Sequence, residues 1–138
     1  MILVDAGPLV GLFDPRDASH SRCRTALDGI DGPLYTTMPV LTEAFHLLTP
    51  ASRGSSALRE FIAGGGLGLW YFDSDAVQRA FDLMEKYADH PMDLADASLV
   101  VAAERLGTRR VLTLDCRDFD AYRVMRGHRR LSLRIERV

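Results

Sequence analysis

The chain has 138 residues, a length suited to one domain, and 47% of them are hydrophobic, enough to build a core without disulfides. No run approaches the roughly 20 apolar residues of a membrane span, and MILVDAGPLV lacks the basic start of a signal peptide, so the expected location is the cytoplasm and no membrane is expected as a partner. The net charge of −2 provides no overall basic field for nucleic acid, although Lys86 is the only lysine and all other cations are arginine, whose planar fork suits phosphate.

Short apolar runs alternate with helical patterns and there is no internal repeat or long linker, which predicts an α/β domain over residues 1–138 with a parallel sheet. Residues 1–4, MILV, read as a buried central strand. A short helix is expected over 8–13, a turn over 14–17, a helix over 19–27 and a strand over 34–36. Pro39 suits the first turn of a helix whose apolar face runs from Val40 to Leu48, and Thr49-Pro50 ends it. Residues 55–63 are helical up to the Gly64-Gly65-Gly66 stop, 67–72 form a strand, and Ser74 is a plausible N-cap for a helix reaching Tyr87. The cleanest helical pattern covers 93–106 and stops at Gly107. A strand follows over 110–114, residues 116–130 have no clear pattern, and 131–135 read as an edge strand. The two cysteines, Cys23 and Cys116, read as reduced thiols.

Four acids recur at equivalent places in this pattern. Asp5 follows the first strand and Asp115 follows the strand over 110–114, so each stands at a strand's carboxyl end, where open parallel sheets bind ligands. Asp96 lies in the first turn of the best helix, with Asp93 three residues earlier, and Glu43 lies one turn into the helix after Pro39. Helix N-termini share an edge with strand carboxyl ends, so these carboxylates are expected to converge. Such a cluster must split its pKa values or bind a cation, and oxygen-only ligands favour Mg²⁺ or Mn²⁺. Each acid also has a purely structural reading: Asp5 and Asp93 as helix caps, Asp96 as a first-turn acid, Asp115 as a turn residue, Glu43 as a solvated helix residue.

In MILVDAGPLVGLF, MPVLTEAFHLL, PMDLADASLVVAAERLG and VLTLDCRDF, the chain resembles the PIN-domain family, and within it the VapC-like toxins of type II toxin–antitoxin pairs. The resemblance extends from Met1 to about Tyr122. It implies a three-layer α/β/α fold and Mg²⁺- or Mn²⁺-dependent cleavage of RNA. It places the family's acids on Asp5, Glu43, Asp96 and Asp115, with Asp5 and Asp96 as primary metal ligands and Glu43 and Asp115 completing the set. Asp93 and Asp118 are auxiliary acids, and Thr113 is a hydroxyl that could orient a ligand or water. Arg16 and Arg117 are candidate RNA-phosphate contacts. A homodimer and a cognate protein antitoxin are implied partners.

Two other classes compete. A haloacid-dehalogenase-type phosphatase wants a second Asp two residues after the first, where this chain has Gly7. A non-catalytic RNA-binding or receiver-like adaptor is the other; receiver domains need a lysine after a late strand, and Lys86 precedes that strand. Arg126-Gly127-His128-Arg129-Arg130 is a basic run that reads as a solvated loop or a contact for RNA or a partner, and Trp70-Tyr71-Phe72 reads as strand core.

Overall fold

A computed structural model describes residues 1–138. Its elements, in order, are β1 (Ile2–Val4), α1 (Ala6–Phe13), α2 (His20–Asp28), β2 (Leu34–Thr37), α3 (Met38–Leu48), α4 (Arg53–Ala63), β3 (Gly68–Trp70), α5 (Ser74–Lys86), α6 (Leu94–Leu106), β4 (Arg110–Leu112), α7 (Cys116–Ala121), β5 (Arg123–Arg126), β6 (Arg129–Ser132) and β7 (Arg134–Glu136). No helix is long and apolar enough to cross a membrane.

The main sheet has the order β3-β2-β1-β4-β7, and every neighbouring pair is parallel. Ile2, Leu3 and Val4 are all fully buried. Successive side chains of a strand face opposite sides, so both faces of β1 are covered and the architecture is the expected α/β sandwich. On one side, α1 packs against α2, α3 and α4; α6 packs against α5 and touches β1 and β2. Eight of the thirteen residues of α6 are buried, which makes it the central helix.

Several boundaries differ from the sequence reading for local reasons. The first helix starts at Ala6 rather than at 8, because the Asp5 side chain caps it by accepting from the Ala6 amide. The fourth helix is entered through Ser52, whose hydroxyl accepts from Ser55 N at 3.0 Å. The cap of α5 is Asp73, accepting from Ala76 N at 2.7 Å, and Ser74 is already helical. The third strand is shorter than predicted: Trp70 and Phe72 meet edge to face at 5.5 Å, while Tyr71 is 63% exposed rather than core.

The largest difference is at the C-terminal end. The stretch without a pattern folds as α7 and β5, and the expected edge strand divides in two. Residues 129–132 turn back on β5 as an antiparallel hairpin through Gly127, whose φ of 63° lies in the left-handed region. After Leu133, β7 joins the main sheet beside β4. Arg109 secures this change of sheet: its guanidinium donates to Ser132 O at 2.6 Å and its carbonyl accepts from Arg134 N at 2.7 Å.

Candidate active site

The strand order reverses at β1: the chain goes to β2 on one side and later returns to β4 on the other. That switch point opens a crevice at the carboxyl edge. Leu3 pairs with Val111 and Val4 with Leu112, so the residues leaving the two strands, Asp5 and Thr113, emerge side by side. Asp5 is only 9% exposed. Its Oδ1 accepts from Ala6 N at 2.8 Å and its Oδ2 accepts from the Thr113 hydroxyl at 2.8 Å. Thr113 Oγ1 also accepts from Asp115 N at 3.0 Å. One fully buried hydroxyl therefore ties the Asp5 carboxylate to the backbone of Asp115.

Asp96 reaches the same edge from α6. Asp93 caps that helix by accepting from Asp96 N at 2.8 Å. Asp93 is thus the N-cap of α6 and Asp96 its third helical residue. Capping alone does not explain the second partner of Asp96, the Tyr122 hydroxyl, which donates to Oδ2 at 3.1 Å. Tyr122 is fully buried and is held edge to face between Tyr87 and Phe119, each ring centroid 5.2 Å away. The start of α6 is also riveted to the end of β2. Ser98 spends its proton on Ala95 O at 2.6 Å, so the Thr37 hydroxyl donates to Ser98 Oγ at 2.5 Å.

Glu43 projects from the exposed face of α3, and Asp115 is exposed at the N-cap of α7, with Asp118 in the first turn behind it. The electrostatics show how these acids share space. Burial raises the Asp5 carboxyl above its ordinary value, and the charges of Asp93 and Asp115 raise it further. Burial, then Asp93 and Asp5, push Asp96 up to about 7. Glu43 is raised by partial burial, then by Asp93 and Asp5. Asp115 is raised by partial burial and then by Asp118. The groups that pull Asp5 and Asp96 back down are the Thr113 and Tyr122 hydroxyls and backbone amides. Burial and the Asp96 charge in turn raise the Tyr122 phenol.

The donor set is chemically suited to a hard cation: only oxygens, several of them carboxylates, at an edge where like charges repel one another. The side chains are not gathered into a ready-made cage, since no three His, Cys, Asp or Glu groups stand together at metal-holding spacing. Thus the structure brings Asp5, Asp93, Asp96, Asp115 and Glu43 within electrostatic reach of one another, without closing them around one point.

The two arginines are placed differently. Arg117 lies exposed in the first turn of α7, two residues from Asp115. Arg16 follows the C-terminal end of α1, whose N-cap is Asp5; eight helical residues separate them, roughly 12 Å along the axis. Its side chain is 88% exposed and pairs with Asp14 at 3.4 Å, so it is not gathered with the acids. Sequence reasoning missed Tyr122, Thr37 and Ser98. Tyr122 is 26 residues from Asp96 in a stretch without periodicity, and no local signal pointed to it.

Beside Glu43 and Asp93 runs an open groove of about 710 Å³, lined by Met38, Pro39, Phe72, Leu94 and Ala95. Met38 and Leu94 are 47% and 37% exposed there.

Comparison with known proteins agrees with this picture. The family described as PIN domain matches residues 2–124. Ribonuclease VapC26 of Mycobacterium tuberculosis is 30% identical over 131 residues, covering 93% of this chain and 96% of that protein. Among solved structures, the fold resembles Mycobacterium tuberculosis VapC20, described as a Sarcin-Ricin loop cleaving toxin, with a TM-score of 0.78 at 18% identity, over 86% of this chain and 92% of that one. A toxin–antitoxin complex from Klebsiella pneumoniae contains a chain with a TM-score of 0.68 at 18% identity, covering 88% of this chain and 92% of that one.

Proposed function

The chain belongs to the PIN-domain family, and on that premise we propose that it is a Mg²⁺- or Mn²⁺-dependent endoribonuclease that hydrolyses RNA phosphodiester bonds as the toxin of a type II toxin–antitoxin pair. The observation that supports the reading is that Asp5, Asp96, Asp115 and Glu43 lie within electrostatic reach of one another near the β1/β4 switch point, their carboxyls raised by burial and by neighbouring acids, though not closed around one point. Asp5 and Asp96 would be the primary ligands of a divalent ion, with Glu43 and Asp115 completing the set. Such an ion, when bound, neutralises the carboxylates, acidifies water and polarises the phosphodiester.

The residues of the chain prepare that chemistry. The Ala6 amide and the Thr113 hydroxyl hold one oxygen of Asp5 each, and Thr113 orients Asp115 through its amide. Tyr122 fixes one oxygen of Asp96, and the Thr37–Ser98 bond keeps the start of α6 against the sheet. Arg117, beside Asp115, is the better placed of the two arginines to take a substrate phosphate. The apolar groove next to Glu43 and Asp93 supports a protein antitoxin that covers the acidic edge. The naming of one relative as a ribonuclease and the toxin–antitoxin assembly of another support RNA and an antitoxin as partners; a cytoplasmic homodimer is part of the same proposal.

The test is cleavage mapping on total cellular RNA with purified protein, with and without Mg²⁺ or Mn²⁺. Discrete metal-dependent cuts are expected, and they should vanish in Asp5→Asn and Asp96→Asn proteins that keep the wild-type circular dichroism. Full activity in either variant would sink the site assignment. Phosphate release from small phosphomonoesters without RNA cleavage would move the protein to the phosphatases.

A further inference from the structure

Charge is unevenly distributed along the chain. Residues 105–138 hold ten of the 17 cations and only four of the 19 acids, a local net charge of +6 against −8 for residues 1–104. Much of this excess lies on the β5–β6 hairpin. Arg126, His128, Arg129 and Arg130 are all exposed, and none of the hairpin's arginines takes part in the four ion pairs of the structure. Arg126 stands directly opposite Arg129 across the last rung of the ladder. Like charges in that position destabilise a hairpin, so folding alone does not call for them. Arg130 adds to the strain: the Lys86 ammonium is held below its ordinary value by partial burial and then by the charges of Arg130 and Arg79.

We propose that the β5–β6 hairpin is a phosphate-gripping arm for structured RNA, separate from the acidic edge. The proposal rests on the ribonuclease reading above and deepens it by naming the class of substrate. Guanidinium forks match phosphate oxygens, and a narrow two-stranded ribbon with arginines on both strands can straddle a phosphate ridge. Duplex RNA offers such ridges on either side of its deep groove, and proteins read it by shape and backbone. The position of the hairpin sets the reach. Arg126 donates to Gly107 O at 2.7 Å, at the far end of α6 from Asp96. The eleven residue steps from Asp96 to Gly107 span roughly 17 Å along the axis. An RNA held at both places must therefore be folded or long, and a short oligonucleotide filling the acidic edge does not touch the arm. The hairpin is anchored in the domain along both strands, by Arg123 N to the Tyr87 hydroxyl at 3.2 Å, Met125 N to Glu104 Oε2 at 3.3 Å, the Arg126 bond and the Arg109 bond to Ser132 O, so it is presented in a defined direction.

The experiment measures binding in EDTA, where no cleavage occurs, by fluorescence anisotropy of a labelled RNA stem–loop spanning two helical turns and of a labelled tetranucleotide. The proteins are wild type, R126Q/R129Q/R130Q, and R129Q/R130Q, the last leaving the Arg126 anchor intact. For the stem–loop, the triple variant should bind about tenfold or more weakly, and the slope of log Kd against log salt should fall by about two to three. Tetranucleotide binding and its metal-dependent cleavage should be unchanged. Equal stem–loop affinity and equal salt slope in wild type and both variants would overturn the arm while leaving the ribonuclease reading standing. Unchanged stem–loop binding with lost binding of polyglutamate would overturn it in favour of an acidic protein partner. A wild type that neither binds nor cuts RNA removes the ribonuclease reading, and the arm with it.

Discussion

The Thr113 hydroxyl has one proton, and it goes to Asp5 Oδ2; its lone pair takes the Asp115 amide. Thr113→Val keeps the shape but leaves a buried carboxylate oxygen without its donor, at a cost of about 1–3 kcal/mol. Loss of that bond also lets the Asp5 carboxyl rise further. The expected outcome is a lower melting temperature with sharply reduced RNA cleavage, both largely restored by Thr113→Ser; a fully active Val variant would refute the link. Asp96 makes a second prediction, for the metal-free protein. Its carboxyl sits at about 7 in the fold, raised from the ordinary 3.8 by burial and by Asp93 and Asp5. Between those values the native state keeps a proton that the unfolded chain has released, so stability falls as pH rises through that window and levels off above it. Thermal melts in EDTA should show a lower Tm at pH 8 than at pH 5, with Asp96→Asn raising the pH 8 value by about 3 °C or more. An Asn variant with the wild-type pH profile would contradict the assignment.

At the scale of elements, α1 and α2 meet through a glycine. A Cβ on Gly11 would lie 2.5 Å from Cys23 Sγ and 2.6 Å from Ser19 Oγ, distances no packed side chain tolerates. Gly11→Ala should therefore destabilise by about 1–3 kcal/mol. Adding Cys23→Ala should recover part of this loss, a coupling that denaturant melts of the two single variants and the double variant would measure. Additive losses would show that Ser19, not Cys23, resists the methyl. The most regular elements were also the most legible. β1 and α6 were readable from apolar runs and 3.6-residue periodicity, and Gly107, at φ 69°, ends α6 where expected. The stretch 116–136 was not, because α7 has only six residues and the hairpin and β7 share one apolar alternation, Leu131, Leu133 and Ile135, that carries no mark of the change of sheet.

For the whole molecule, a fold that holds one buried and several neighbouring, mutually repelling acids at one edge is one that a cation should stabilise. On the proposed reading, Mg²⁺ or Mn²⁺ would bind only where the carboxylates are assembled and so would raise stability by mass action. Millimolar ion should raise the Tm of the wild type, more at pH 8 than at pH 5, because ionised carboxylates are the ligands. Asp5→Asn should respond weakly or not at all. An equal rise in both proteins would mean that the ion acts elsewhere on the surface.

Local pattern was enough to establish an α/β domain, a buried first strand, a central late helix, and acids at strand ends and helix starts. Those features depend on residues near in sequence: apolar runs, caps, glycine stops. Which strands are neighbours depends on long-range pairing, and only the tertiary structure decided that β1 lies against β4, so that Asp5 and Thr113 emerge together. The same holds for Tyr122 closing on Asp96 across 26 residues and for the arginine-rich hairpin standing at the opposite end of α6 from the acids. Side-chain type announces what a group can do; packing between distant segments determines which groups share one edge and which are held apart.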